Sequence, residues 1–387
     1  MRRLKRYICL VGLLALLAAA LTGCGFSDDS VEELFTLPRM AEEYTGLTQE
    51  LEALITQGYE YASPTGGRNI QSVQMADLDG DGQQEALAFF RMSSDEKPLK
   101  IFVFKIEGDS YARYCTIESS GTAIDSVYYQ DLNGDGRREL IVGWRISAEV
   151  QTVAVYTVTR EPVALMSSGY TRFTIQDLNG DGIPSLLVLR TDADSQPVAE
   201  FYGWQEEQMG VAYRCVLSST MASVNRGSLV SGRLDADTPA LYITGVDEQG
   251  MAATDILVFR QDLGLVNLAL SGSSTGVSNA VLPYRQLLPQ DINGDGIIEL
   301  PSPDTSWTAE QTDGLVSWLC CDGDGQLSTV AKTYHSLSCG WYFTIPESWW
   351  DWSVETATTS ISNENQFSLA INGDPVLSLY TITGENR

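Results

Sequence analysis

From residue 70 onward the chain is written in short stretches in which apolar positions alternate with polar ones or run together. Examples are SVQMADL (72–78), EALAFFR (85–91), KIFVFKI (100–106), YARYCTI (111–117) and DSVYYQD (125–131). ELIVGWR (139–145), TVAVYTV (152–158), PVALMSS (162–168), TRFTIQD (171–177) and SLLVLRT (185–191) continue the series. Val, Ile, Tyr and Phe dominate these stretches, and Gly, Asp, Asn and Ser separate them, which predicts strands and turns. A helical period occurs near the start, over 30–57, where Leu47, Leu51, Leu54 and Ile55 share one face after the interruption at Pro38. It predicts one amphipathic helix packed on the sheets. A third pattern opens the chain: Arg2, Arg3, Lys5 and Arg6 precede an apolar run of about fifteen residues. That is the layout of a secretory signal, and the run is short for a permanent transmembrane helix.

The apolar run ends in Leu21-Thr22-Gly23-Cys24, which resembles the bacterial lipobox. The resemblance implies that residues 1–23 are a signal peptide and that Cys24 is lipidated after cleavage. The membrane would then be a partner through this anchor, with the protein on the outer face of the cell membrane. Residues 24–68 are read as the lipidated tether and the amphipathic helix.

Between the predicted strands, four segments share one template: DLDGDGQQE (77–85), DLNGDGRRE (131–139), DLNGDGIPS (177–185) and DINGDGIIE (291–299). Oxygen ligands at positions 1, 3, 5 and 9 with a carbonyl at position 7 suit a hard cation such as Ca²⁺, and glycine at position 6 permits the turn. The candidate ligands are Asp77, Asp79, Asp81, Gln83 (carbonyl) and Glu85 in the first loop. In the second they are Asp131, Asn133, Asp135, Arg137 (carbonyl) and Glu139. The third offers Asp177, Asn179, Asp181 and the carbonyl of Ile183, with Ser185 in place of the last acid. The fourth offers Asp291, Asn293, Asp295, Ile297 (carbonyl) and Glu299, so up to four Ca²⁺ sites are expected. An EF-hand would need an acid at position 12 and flanking helices. Position 12 is Ala88, Val142, Val188 or Ser302, and strand-like sequence flanks each loop.

The loops begin 54, 46 and 114 residues apart, so a degenerate copy is expected near residue 234, at GRLDADTPALYI (232–243). Repeats of this size with four strand candidates each point to β-propeller blades. The unit from Asp77 to Asp131 is read as one blade, with each loop joining the last strand of one blade to the first of the next. The loop motif over about 69–345 resembles the FG-GAP/VCBS-type calcium-loop β-propellers of secreted and surface proteins. The resemblance implies adhesion, ligand-binding or carbohydrate-associated roles. The fold expected is mainly β: a β-propeller of about five four-stranded blades over 69–340, a short N-terminal helix, and a small Trp-rich β segment over 341–387. IQSVQMADL (70–78) is expected to close the ring by completing the last blade, with WYFTIP (341–346) as its rival for that place.

Composition narrows the function. The chain has 387 residues and a net charge of −27, which opposes non-specific binding to nucleic acid or anionic headgroups. With Cys9 removed and Cys24 lipidated, Cys115, Cys215, Cys320, Cys321 and Cys339 remain, with no CxxC spacing for a zinc or redox site. Burial is the expected fate of most, with a disulfide from Cys339 to Cys320 or Cys321 as an open alternative. His335 is the only histidine, and no nucleophile triad, P-loop, dinucleotide fingerprint or GxSxG accompanies it. Trp349, Trp350 and Trp352 could hold a sugar or peptide; the competing expectation is that they form the core of the tail. The expected role is a non-catalytic module binding an extracellular protein or glycan. The alternatives are a carbohydrate-active enzyme or accessory subunit, and an envelope scaffold.

Overall fold

The segments 77–84, 131–138 and 177–184 are too short to cross a sheet and return in parallel, so the strands they join must pair antiparallel as hairpins. A computed structural model describes residues 44–108, 110–248, 250, 252–270, 287–303, 313–337, 340–350, 354–361, 364–371 and 373–382. It shows a mainly β protein of several antiparallel sheets. The first sheet holds β1 (Glu60–Tyr61), β2 (Val73–Ala76), β3 (Glu85–Arg91), β4 (Leu99–Glu107) and β5 (Ser110–Ser119). β1 and β2 share one edge of β3. The second runs β6 (Ala123–Gln130), β7 (Glu139–Arg145), β8 (Gln151–Thr157), β9 (Val163–Gly169). The third runs β10 (Arg172–Gln176), β11 (Ser185–Thr191), β12 (Pro197–Gln205), β13 (Gln208–Val216). The fourth runs β14 (Leu229–Arg233), β15 (Pro239–Val246), β16 (Ala252–Arg260), β17 (Gly264–Asn267). The fifth runs β18 (Leu300–Pro303), β19 (Asp313–Cys321), β20 (Leu327–Ser336), β21 (Trp341–Thr344). A three-stranded tail sheet follows: β22 (Val354–Ile361), β23 (Glu364–Ile371), β24 (Asp374–Ile382).

Two expectations about strand phase are corrected. The first three acidic loops are hairpin turns within a sheet, joining β2 to β3, β6 to β7 and β10 to β11, and the fourth is closed by a bridge just before β18, so these loops do not link one sheet to the next. Ala76 pairs with Glu85, Gln130 with Glu139, Gln176 with Ser185 and Gln290 with Glu299. DSVYYQD therefore opens the second sheet instead of ending the first. IQSVQMADL likewise does not complete the last sheet, because its hairpin loop commits Val73–Ala76 to β3. WYFTIP is the segment that extends the fifth sheet, with β21 paired to β20 beyond residue 340.

Strands β3, β7 and β11 are buried on both faces, which is why they read as continuous apolar runs. Neighbouring sheets share cores. Leu87 and Phe89 of the first meet Leu140 and Val142 of the second. Ile141 and Val155 of the second meet Leu186 and Val188 of the third. Leu187 and Phe201 of the third meet Leu241 and Leu257 of the fourth, whose Tyr242 and Ile256 meet Leu300 of the fifth. The other face of the first sheet, Ala88, Phe90 and Phe102, is covered by Leu47, Leu51 and Leu54 of helix α1 (Thr45–Thr56). Among the described residues no core cluster joins the fifth sheet to the first. The packing of successive sheets leaves their first-strand hairpins in a series, and that series carries the acidic loops.

Candidate metal centre

The four loops share one hydrogen-bond plan. The position-1 aspartate accepts two backbone amides, from the glycines at positions 4 and 6. In the second loop Asp131 Oδ1 takes Gly134 N at 2.7 Å and Oδ2 takes Gly136 N at 2.9 Å. Asp77, Asp177 and Asp291 do the same to their own glycines. Both glycines stand at positive φ in every loop, for example +76° at Gly134 and +86° at Gly136. A side chain there would be strained, so the loop needs both glycines and not only the one at position 6. The position-5 aspartate accepts the amide of position 7, as Asp135 does from Arg137 at 2.8 Å. The position-9 glutamate reaches back to the amide of position 2: Glu85 to Leu78 (2.7 Å), Glu139 to Leu132 (2.9 Å) and Glu299 to Ile292 (3.0 Å). The third loop lacks this return contact because Ser185 is too short and uncharged. Adjacent loops touch: Arg138 N donates to Leu78 O at 2.7 Å.

The loops differ in what balances their charge. In the first, the Lys105 ammonium binds Asp79 Oδ2 and lies 3.4 Å from Glu85 Oε1. Burial alone would raise Asp79, but Lys105 outweighs it and holds the carboxyl below its usual range. The oxygens of Asp77, Asp79 and Glu85 lie within 4.8 Å of one another, close enough to share a metal ion. That closeness has a visible cause, since a cation of the protein already sits among two of them. Register places Lys105 opposite Glu85, one residue beyond the Ala86–Phe104 pair. The matching residues in the second, third and fifth sheets are Thr157, Gly203 and Cys320, none of them cationic.

The second and fourth loops carry the same acidic positions with no ion pair among the described residues, but their three acids do not gather within 4.8 Å as those of the first loop do. Burial pushes the Glu139 carboxyl up to about 7, with Asp135 and Asp131 adding repulsion. Glu299 is raised by burial in the same way. A buried carboxylate beside two others is a group that a divalent cation relieves. By residue type the donors, all oxygen, with one glutamate, two aspartates and one asparagine per loop, are the kind that suits Ca²⁺. The degenerate copy is different. Its hairpin closes at Arg233–Pro239, and Asp235 spends its oxygens on Asp237 N and on the amide and hydroxyl of Thr238. Asp237 and Asp235 form a capped turn and not a ligand ring.

Trp349 and Trp350 are half-buried against Tyr334, Phe367 and Leu369, where the fifth sheet meets the tail sheet. Trp350 Nε1 donates to Ile345 O at 3.1 Å, and Lys332 lies over its ring. The two tryptophans pack against this core with part of each ring exposed. Trp352, Cys24 and Cys339 lie outside the described residues. Cys115 and Cys321 are buried, Cys215 and Cys320 partly so, and all four are free thiols. Burial pushes Cys115, Cys215 and Cys321 up to about 12, so they stay protonated at neutral pH. His335 stacks on Tyr342 and has Nε2 buried with no hydrogen-bond partner among the described residues. Burial brings its pKa down to about 4. Sequence reasoning missed Lys105; the signal was the register of KIFVFKI against EALAFFR once the hairpin was placed.

No protein-family model and no curated protein matches the chain. Among solved structures, "A subtype N10 neuraminidase-like protein of A/little yellow-shouldered bat/Guatemala/060/2010" aligns at 11% identity, covering 84% of this chain and 98% of its own, with a TM-score of 0.30. A "Hypothetical protein from leishmania major" aligns at 10% identity, covering 75% of this chain and 91% of its own, with a TM-score of 0.20. Scores this low carry no argument about activity or ring closure. The candidate site rests on its own geometry.

Proposed function

We propose that the protein is a lipid-anchored, Ca²⁺-stabilised binding module on the outer face of the cell membrane, attached through Cys24. The successive four-stranded sheets are read as blades of a β-propeller of about five blades, related to the FG-GAP/VCBS type. Its role is to hold an extracellular protein or glycan without turning it over. One observation carries the reading: the same hairpin, with the same carboxylate-to-glycine contacts, recurs in four of the five successive sheets. Repetition of a costly acidic loop at one structural position is explained by a shared cation. The second and fourth loops are the principal Ca²⁺ sites; the first competes with Lys105, and the third is weak for want of a position-9 acid. Extracellular fluids hold millimolar Ca²⁺, so sites of modest affinity fill.

A glycan array probed with the purified protein in millimolar Ca²⁺ and in EGTA tests the role. Retained ligand without product, lost in EGTA, is expected. Hydrolysis of any arrayed glycan would move the protein to the carbohydrate-active enzymes. Metabolic labelling with a radioactive fatty acid, lost in Cys24→Ala, is expected for the anchor; label retained in that variant contradicts it.

A further inference from the structure

The first strands of three sheets carry a feature that the acidic loops do not explain. β2, β6 and β10 border a cavity of about 840 Å³, within the range of sites for small organic ligands. Arg68 and Arg138 stand at its edge, both exposed. Neither forms an ion pair among the described residues. The amides of Gln84 and Gln130 line it, and Tyr128 and Phe173, packed edge to face with centroids 5.6 Å apart, give it an aromatic wall. Strand β10 is half-exposed along its whole length, unlike the buried strand beside it. A second cavity of about 720 Å³ continues along the same elements and is lined by Arg145 and Arg172. Arg145 is tied to Asp125 at 3.1 Å, whereas Arg172 donates from Nη1 to Thr171 O at 2.6 Å and keeps a buried Nε without a partner.

We propose that this face binds an acidic oligosaccharide, with carboxylates of its uronate units taken by Arg68, Arg138 and Arg172. The proposal rests on reading the protein as a glycan-binding module. Arg68 and Arg138, without ion pairs among the described residues, and the partly satisfied Arg172 offer guanidinium donors beside cavities whose linings each hold one carboxylate, Asp77 in the first and Asp125 in the second. Guanidinium is the side chain whose planar fork matches a carboxylate. Amides supply donors and acceptors for hydroxyls, and aromatic walls take the C–H faces of sugar rings. Arg172 stands three residues before Ile175, which lines the first cavity. That step is about 10 Å along a strand, so the ligand is elongated and carries more than one acid. A nucleic acid polyanion is opposed by the long-range charge of the molecule, whereas a short uronate chain carries few charges for the arginines to balance.

The test uses calorimetry on the full-length protein in detergent at fixed free Ca²⁺. The probes are tetramers of galacturonate, glucuronate and guluronate, the methyl ester of the first, a neutral glucose tetramer and tetraglutamate. Binding of at least one uronate tetramer is expected, weakened at least tenfold by Arg68→Gln with Arg138→Gln and by esterification. Arg172→Gln should weaken the tetramer more than the corresponding dimer. Among the described residues neither exposed arginine side chain makes a hydrogen bond or ion pair, and an unchanged melting temperature confirms that the variants fold. The proposal is overturned if no uronate binds, if the arginine variants bind as the parent does, or if tetraglutamate binds equally well. It is also overturned if loss of Asp135 abolishes binding while loss of the arginines does not, since Ca²⁺ would then be the bridge. Binding of the neutral tetramer as tightly as the acids would overturn it while leaving glycan binding intact.

Discussion

The ammonium of Lys105 supplies the first loop with a counter-charge from within the chain, opposite Glu85. Lys105→Met keeps most of the stem's packing and removes the charge. Equilibrium dialysis against radioactive Ca²⁺ should then find one more ion bound per chain than in the parent. Equal stoichiometry would show that the lysine does not hold the site. His335 gives a second test at this scale. Its pKa falls from the ordinary value of 6.5 to about 4 because its imidazole is buried among Trp318 and Tyr342. Protonation therefore favours the unfolded chain. The stability it contributes is complete above pH 6.5 and is lost as pH falls toward 4, on the order of 2 kcal/mol. His335→Phe should flatten urea-unfolding stability between pH 6.5 and 4 relative to the parent; parallel curves would refute it. Lys105 does not stand out in the sequence and His335 stands out only as the one histidine, because the role of each depends on a cross-strand neighbour set by register. The loops themselves were legible, since their turn chemistry is local and their glycines and carboxylates are adjacent in the chain.

At the scale of elements, strand existence was readable and sheet membership was not. A repeat has no intrinsic starting point, so the unit from Asp77 to Asp131 could be cut before or after the loop. Hairpin length decides: the loop after Ala76 forces β2 and β3 together, and the phase of every later sheet follows. The tail tryptophans show the same limit. An aromatic cluster announces contact area, but whether it faces solvent depends on the tail sheet that covers Trp349 and Trp350. The joint between the third and fourth sheets depends on Asp255 of β16, which is fully buried. It accepts Ser218 N at 2.8 Å, Ser218 Oγ at 2.6 Å, Ser219 N at 3.0 Å and Asn267 Nδ2 at 2.8 Å. Asp255→Ala leaves these buried donors unpaired and should cost about 3 kcal/mol, read as a lower urea midpoint. A change below 0.5 kcal/mol would show that the network does not hold the joint.

For the whole molecule, the excess of acid has two parts. One part is concentrated in the repeated hairpins, which lie at the same end of successive sheets and touch through contacts such as Arg138 N to Leu78 O. The other is spread over the rest of the chain. The stacked sheets bury Glu139 and Glu299 as raised-pKa carboxylates, a strain that a bound divalent cation relieves. Ca²⁺ that binds the folded chain alone stabilises it by mass action, about 1.4 kcal/mol for a site at ten times its dissociation constant. Two filled sites should therefore raise the melting temperature by about 3.5 °C. Differential scanning calorimetry of the parent and of Asp135→Ala, each in millimolar Ca²⁺ and in EGTA, tests this most directly. The account predicts a Ca²⁺-dependent rise of about that size in the parent and roughly half of it in Asp135→Ala. Equal melting temperatures for the parent with and without Ca²⁺ would contradict it.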